Sequence, residues 1–253
     1  MQILLSPAKD MTDAPAVQAP RLSTPRFQLE AERCALQISE LDTEELADLL
    51  KINPQLAALN KRRFHDFLDP EPRMAAALAY TGMAYKHLRA EEFSAQDWEW
   101  AQEHLWISSF LYGLNRPMDA IKTHRLEGKV VLPDHEGLTM FQFWRSRLTD
   151  VLIDSCLADD GTLIYLASAE MKSLFDWKRV TKQVRVITID HAIDLGDRLK
   201  TVVVYSKMMR GATTRQLITQ RIAQPEALQD FEYEGFVYRP EHSSEARWTW
   251  VQA

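Results

Sequence analysis

Apolar and polar positions along the chain fall into two alternating periods. Residues 2–6 form a short apolar run stopped by Ser6-Pro7, which predicts a first buried strand. Residues 7–26 hold Pro7, Pro15, Pro20 and Pro25 with little periodicity, which predicts an extended loop. Helical spacing follows over 27–39. Asp42-Thr43 ahead of Glu44-Glu45 opens a capped amphipathic helix carrying Leu46, Leu49 and Leu50. Asn53-Pro54 opens another, with Leu56, Leu59 and Phe64 on one face, and Pro70 and Pro72 end it. Residues 74–80 predict a short helix running into Thr81-Gly82.

In the second part of the chain, Ser94 with Asp97 approximates a capping box before a helix over 98–103. The apolar run 105–110 predicts a strand, although a helix also fits so short a run. Glu136-Gly137 precedes a helix over 139–157 with apolar Phe143, Leu148, Leu152 and Leu157, closed by Gly161. Residues 162–166, 184–189 and 199–205 predict strands, and 206–223 a basic helix ended by Pro225. Segments 236–238 and 247–251 make a final pair of strands. Strands alternating with helices predict an α/β or α+β class with a mixed sheet and surrounding helices. No repeat, low-complexity tract or linker divides the chain, so one domain over 1–253 is expected.

A chain of 253 residues, 46% apolar and 26% charged, buries a full core and reads as globular. No apolar stretch approaches the ~20 residues that cross a bilayer. The start, Met-Gln-Ile-Leu-Leu-Ser-Pro-Ala-Lys, lacks the features of a signal peptide. Cys34 and Cys156 make no CxxC and no disulfide framework. A reducing, cytoplasmic setting without a membrane partner follows, with a monomer as the expected state.

The net charge of −6 argues against a generic polycation for nucleic acid. Its distribution says more. Residues 28–50 carry seven acids against Arg33, and 91–103 carry five acids and no base. Over 198–221 stand Arg198, Lys200, Lys207, Arg210, Arg215 and Arg221 without an acid, and 172–185 is also basic. Local basic surfaces on an acidic protein suit an anionic ligand, although charge runs are more often solvated faces.

The chemistry is first bounded by what is missing. The seven histidines are scattered, with no HxxxH spacing and no Cys/His cluster, so no metal site and no cofactor is expected. His191 between Asp190 and Asp194 could meet a divalent ion, but a solvent-facing polar run explains it better. No GxSxG elbow, P-loop or GxGxxG occurs among the eight glycines.

Four features remain. Lys9 in Ser6-Pro7-Ala8-Lys9 stands just past a strand, where polar groups line the crevice of an α/β sheet. Lys61, Arg62 and Arg63 lie together on a helix, and Asp66, three residues after Arg63, could hold it in a surface pair. Beyond the apolar run 105–111 and the Tyr112-Gly113 and Arg116-Pro117 turns stand Lys122, His124, Arg125 and Glu127. Glu127 among these bases could orient arginine for phosphate or act as a general acid or base. Lys207-x-x-Arg210-Gly211 opens the basic helix, whose dipole and free N–H groups favour anions.

Taken together, these residues resemble the YaaA-type peroxide-stress protein family. The matching pieces are Ser6-Pro7-Ala8-Lys9, Arg63-Phe64-His65-Asp66, Leu111-Tyr112-Gly113 with Arg116-Pro117, and Arg125-Leu126-Glu127. Phe141-Gln142-Phe143-Trp144, Leu166-Ala167-Ser168 with Glu170, Lys207-x-x-Arg210-Gly211 and Glu234-Gly235-Phe236 follow in order. The resemblance implies a family-specific mixed α/β fold with a positively charged cleft. It also implies a helix-hairpin-helix-like element, for which residues 111–117 are the candidate, and double-stranded or structured DNA as partner. The family is linked to protection from hydrogen peroxide and from intracellular iron.

Two functions are therefore expected to compete. In the first, Lys9, Arg63, Arg116, Arg125, Lys207, Arg210 and Gly211 hold DNA phosphates with low sequence specificity. In the second, the same cations bind a small phosphorylated or nucleotide-like substrate. Glu127 or Glu170 then serves as acid or base, and Lys9 as nucleophile or electrostatic stabiliser. A closed pocket around Lys9, Glu127 and Arg210 favours the enzyme, and an open groove as wide as a duplex favours DNA. Iron sequestration is disfavoured by the missing ligand clusters.

Overall fold

The computed structural model describes residues 1–70 and 73–252. Pro72, expected to help end the third helix, lies outside the described residues. The chain opens with β1 (Gln2–Leu5), whose side chains are all buried, and then an irregular segment over the proline-rich stretch. Three helices follow: α1 (Gln28–Glu40), α2 (Thr43–Leu50) and α3 (Pro54–His65). The predicted caps are in place. Asp42 and Glu45 close a reciprocal capping box on α2, and Asn53 accepts the Leu56 N–H at the start of α3.

Residues 74–80 depart from expectation. Met74–Ala75 is strand β2 and only Ala76–Ala79 is helical (α4), before α5 (Met83–Leu88). Helix α6 (Ala95–His104) starts at the predicted Ser94–Asp97 box and delivers the chain into β3 (Leu105–Ser109). Strands β4 (Gly113–Asn115) and β5 (Ala120–Ile121) precede α7 (Met140–Leu157), capped by Thr139. Then come β6 (Thr162–Leu166), α8 (Trp177–Gln183), β7 (Arg185–Asp194) and β8 (Leu199–Lys200). Helix α9 (Val203–Thr219), β9 (Phe236–Tyr238) and β10 (Arg247–Gln252) complete the order.

The run 199–205 is therefore not one strand: β8 covers only two residues and α9 takes over at Val203, three residues before the predicted start. Strand β7 is longer than predicted and carries His191 inside the sheet, 3% exposed, not on a solvent-facing run. Residues 111–117, the helix-hairpin-helix candidate, belong to a β-hairpin. There β4 pairs antiparallel with β3, and Gly113 adopts φ +71° where a side chain would strike the Trp144 ring.

The sheet is mixed and mostly parallel, ordered β4-β3-β1-β6-β7-β10-β9 with β8 on β7. Strands β3, β1, β6, β7 and β10 run parallel, while β4, β8 and β9 pair antiparallel. Helix α9 packs on α5, α6, β1 and β7, and α7 packs on α8, β4 and β6. From β1 the chain first pairs on one side, with β3, and then crosses to the other side as β6. That reversal opens a crevice at the carboxyl ends of β1, β3 and β6, where ligands of open α/β sheets bind.

Candidate functional site

A cavity of about 740 Å³ fills that crevice. Its wall takes Ser6–Lys9 from the end of β1, Ser109 and Phe110 from β3, and Ser168 and Glu170 from beyond β6. Tyr80–Lys86 and the first turns of α9 cover it, and His124–Glu127 close the side. Local bonds fix these loops. The Ser6 hydroxyl accepts the Ser168 N–H at 2.8 Å, and the Tyr85 hydroxyl donates to the Ser6 carbonyl at 2.8 Å. Gly82 allows the Ser6–Lys9 loop to come close, since a Cβ there would lie 2.7 Å from Ala8 Cβ.

The lining carries five cations, Lys9, Lys86, Arg125, Lys207 and Arg210, against Asp10, Glu127 and Glu170. Lys9 Nζ lies 2.9 Å from Glu127 Oε1, and Arg125 Nη2 lies 3.5 Å from the same oxygen. One carboxylate thus bridges two bases that were expected to face phosphate. Arg210 is different. Burial lowers its guanidinium's pKa, with Tyr165 and Asp190 opposing that shift, and its Nε has no partner among the described residues. Helix α9 carries no side-chain cap, and Val203 and Val204 of its first turn line the cavity. The free N–H groups of a helix start therefore belong to residues ahead of Lys207, which sits one turn inside the helix.

Of the expected site residues, the fold brings Lys9, Arg125, Glu127, Glu170, Lys207 and Arg210 to one cavity. Three others lie elsewhere. Arg116 is half-buried with its guanidinium 3.5 Å from the Trp106 ring centre, donating to Gln2 Oε1 and the Leu105 carbonyl. Burial pulls its pKa down to about 10, against the attraction of Asp119. Gly211 is buried where α9 crosses α5: a Cβ there would lie 1.8 Å from the Ala84 carbonyl oxygen. Arg63 is half-buried beside Asp13 and His124, and Asp66 pairs with His65 in place of Arg63.

Reading the sequence alone passed over Tyr80, Ser109 and the role of His124. The His124 Nδ1 lies 2.8 Å from the Lys122 carbonyl, which can only accept, so that nitrogen holds the proton. Nε2 lies 3.4 Å from Ser109 Oγ. Burial, helped by Arg63, holds the imidazole pKa down to about 4. Ser109 Oγ accepts the N–H groups of Leu111 and Tyr112 at 3.2 and 3.1 Å, so it closes the β3–β4 turn and is not shaped as a nucleophile. Among the described residues, no group of three or more His, Cys, Asp or Glu side chains could hold a metal ion. Nor, among them, is any helix long and apolar enough to cross a membrane.

Fold and cavity define a mixed α/β protein with a ligand-sized, cation-lined crevice at the switch point of its sheet. Comparison with known proteins gives the family: the chain belongs to the peroxide stress protein YaaA family, whose model matches residues 1–242. A UPF0246 protein of Phocaeicola vulgatus is 47% identical over 249 residues, covering 98% of each chain. One from Bacteroides thetaiotaomicron is 45% identical over 252 residues, covering 99% of this chain and 98% of the relative. A more distant UPF0246 protein, from Acaryochloris marina, is 32% identical over the full length of both.

Proposed function

We propose that the crevice binds a phosphate-bearing ligand of nucleotide size, and that this binding is the protein's contribution to the peroxide-stress response. The observation that carries the reading is Arg210, a largely buried guanidinium whose Nε has no partner, set with Lys207 beside the uncapped start of α9. A buried cation without a fixed counter-ion favours an anion that arrives from solution. A volume of about 740 Å³ falls in the range of small-molecule sites. Lys9, Glu127 and Glu170 at the same cavity supply the groups an enzyme acting on a phosphorylated substrate would use, with a carboxylate as acid or base.

DNA binding, which the resemblance implies, is the second reading. What favours it is the pair α2 and α3, two packed helices joined by a short turn with Lys51 in the left-handed conformation and exposed. In this reading the pair, in place of the β-hairpin at 111–117, serves as the helix-hairpin-helix-like element, with Lys51 and Arg62 exposed to reach phosphates. Lys61 is occupied by the carbonyls of Ser39 and Leu41, and the acids of α2 oppose phosphate there. In this reading contacts are to the backbone, sequence specificity is low, and covering the duplex limits its iron-dependent oxidation.

A thermal-shift comparison separates the two. Nucleotides are expected to raise the midpoint by several degrees in the native protein and not in a Lys207→Ala, Arg210→Ala double variant. A response to a short duplex alone, with undiminished affinity and salt slope in that variant, would overturn the crevice as the site.

A further inference from the structure

Two parts of the crevice differ in chemistry. Part of its lining carries the cations, whereas the part where β3 stops carries Tyr80, Ser109 and His124, each under 10% exposed. Counting donors and acceptors there leaves one group over. His124 Nδ1–H donates to the Lys122 carbonyl, so Nε2 is a bare acceptor facing Ser109 Oγ. Ser109 gives its proton to that nitrogen and fills both lone pairs with the N–H groups of Leu111 and Tyr112. Tyr80's hydroxyl is near enough to Ser109 to interact with it, yet Ser109 has no capacity left for a further hydrogen bond. The Tyr80 hydroxyl accordingly has no hydrogen-bond partner among the described residues.

An orphaned donor in a dry site costs stability unless something supplies an acceptor. The surroundings say what kind. Rings of Tyr85 and His124 flank Tyr80 at 5.1 and 6.4 Å, and Phe110 and Met83 add apolar lining. Burial keeps the Tyr80 phenol protonated and the His124 ring uncharged at neutral pH, so a charged group gains nothing there.

We propose that the Tyr80 hydroxyl donates to an uncharged acceptor on a nucleobase, a carbonyl oxygen or ring nitrogen. The crevice then holds a nucleoside monophosphate by both ends, with its base at Tyr80 and its phosphate at Lys207 and Arg210. This rests on the nucleotide-sized reading above and narrows it to ligands with a base.

The test compares nucleoside 5′-monophosphates with deoxyribose 5-phosphate by titration calorimetry. At least one nucleotide binds the native protein about tenfold tighter than the sugar phosphate, and Tyr80→Phe brings the two within about threefold. Affinity for deoxyribose 5-phosphate is unchanged in that variant and lost in the Lys207→Ala, Arg210→Ala double variant. Equal affinity for nucleotides and sugar phosphate in the native protein would overturn the base subsite, even were Tyr80→Phe to misfold. So would a Tyr80→Phe variant that keeps the full preference, as it would if a resident water were the hydroxyl's only partner. Failure of every phosphate compound to bind the native protein would instead remove the crevice reading itself, and this proposal with it.

Discussion

His191 lies inside β7 near Phe236 and Trp250, and burial holds its imidazole pKa down to about 3. In the unfolded chain the ring titrates near 6.5, so below that pH the unfolded state takes up a proton the folded state refuses. The contribution of His191 is present above about pH 6.5 and is lost as pH falls toward 3. At pH 5 the loss is about 2 kcal/mol, from roughly 1.5 units at 1.36 kcal/mol each. His124 works in the same direction, whereas Asp119, raised to about 6 by burial, favours folding when protonated and loses that contribution as pH rises through about 6. Comparing variants isolates one group. In urea unfolding at pH 7 and pH 5, His191→Phe should lose about 2 kcal/mol less between the two than the native protein. Equal losses would show that the ring does not titrate as its burial requires.

At the scale of elements, helix α9 is seated by a contact that no longer side chain allows. The Gly211 position brings its backbone against Ala84, and Ala84 itself lines the crevice. Gly211→Ala forces α9 and α5 apart at an atom of the backbone, which cannot turn aside. The expected cost is about 1–3 kcal/mol in chemical denaturation, with weakened nucleotide binding at temperatures where the variant remains folded. Unchanged stability would mean the two helices are not held at this distance. The sequence made some of these elements readable and hid others. Asp42, Asn53 and Ser94 mark their helices because a cap is a local hydrogen-bond pattern. The start of α9 was hidden by Val202-Val203-Val204, whose strand preference is under ~1 kcal/mol per residue and yields to the packing of the helix on its neighbours. Helix α5, at six residues, is too short for a period to show.

For the molecule as a whole, the crevice is an assembly of segments more than 200 residues apart, from Leu5 to Arg210, joined where the strand order reverses. Ligand bound at 100 times its Kd stabilises the fold by about 2.7 kcal/mol. Amide exchange should then slow together in 80–86, 109–127, 168–171 and 203–210, and leave the α2–α3 turn unchanged. Protection confined to 43–65 would place the ligand on the helical pair instead. The same assembly explains how far the sequence could be read. Lys9, Arg125, Glu127 and Glu170 follow strands, so their charge and position announced them, whereas Lys207 and Arg210 were announced by the basic run alone, since they stand inside α9 and not at its start. Arg116 has an equally suggestive motif, but sequence does not tell which way a side chain points, and it points to Trp106. Tyr80 and Ser109 stand inside buried runs and look like ordinary core until the strands are paired.

The bridge from Lys9 through Glu127 to Arg125 also bears on ligand charge. Those bases already have a resident carboxylate, and any phosphate seated on them must replace it. A phosphodiester within a nucleic-acid backbone carries one negative charge, so the exchange leaves the electrostatics nearly even. A terminal phosphomonoester carries close to two at neutral pH and leaves a net gain. Under the proposed phosphate-binding reading, Glu127 acts as a valence filter that tilts the crevice toward terminal phosphomonoesters and away from the uninterrupted backbone.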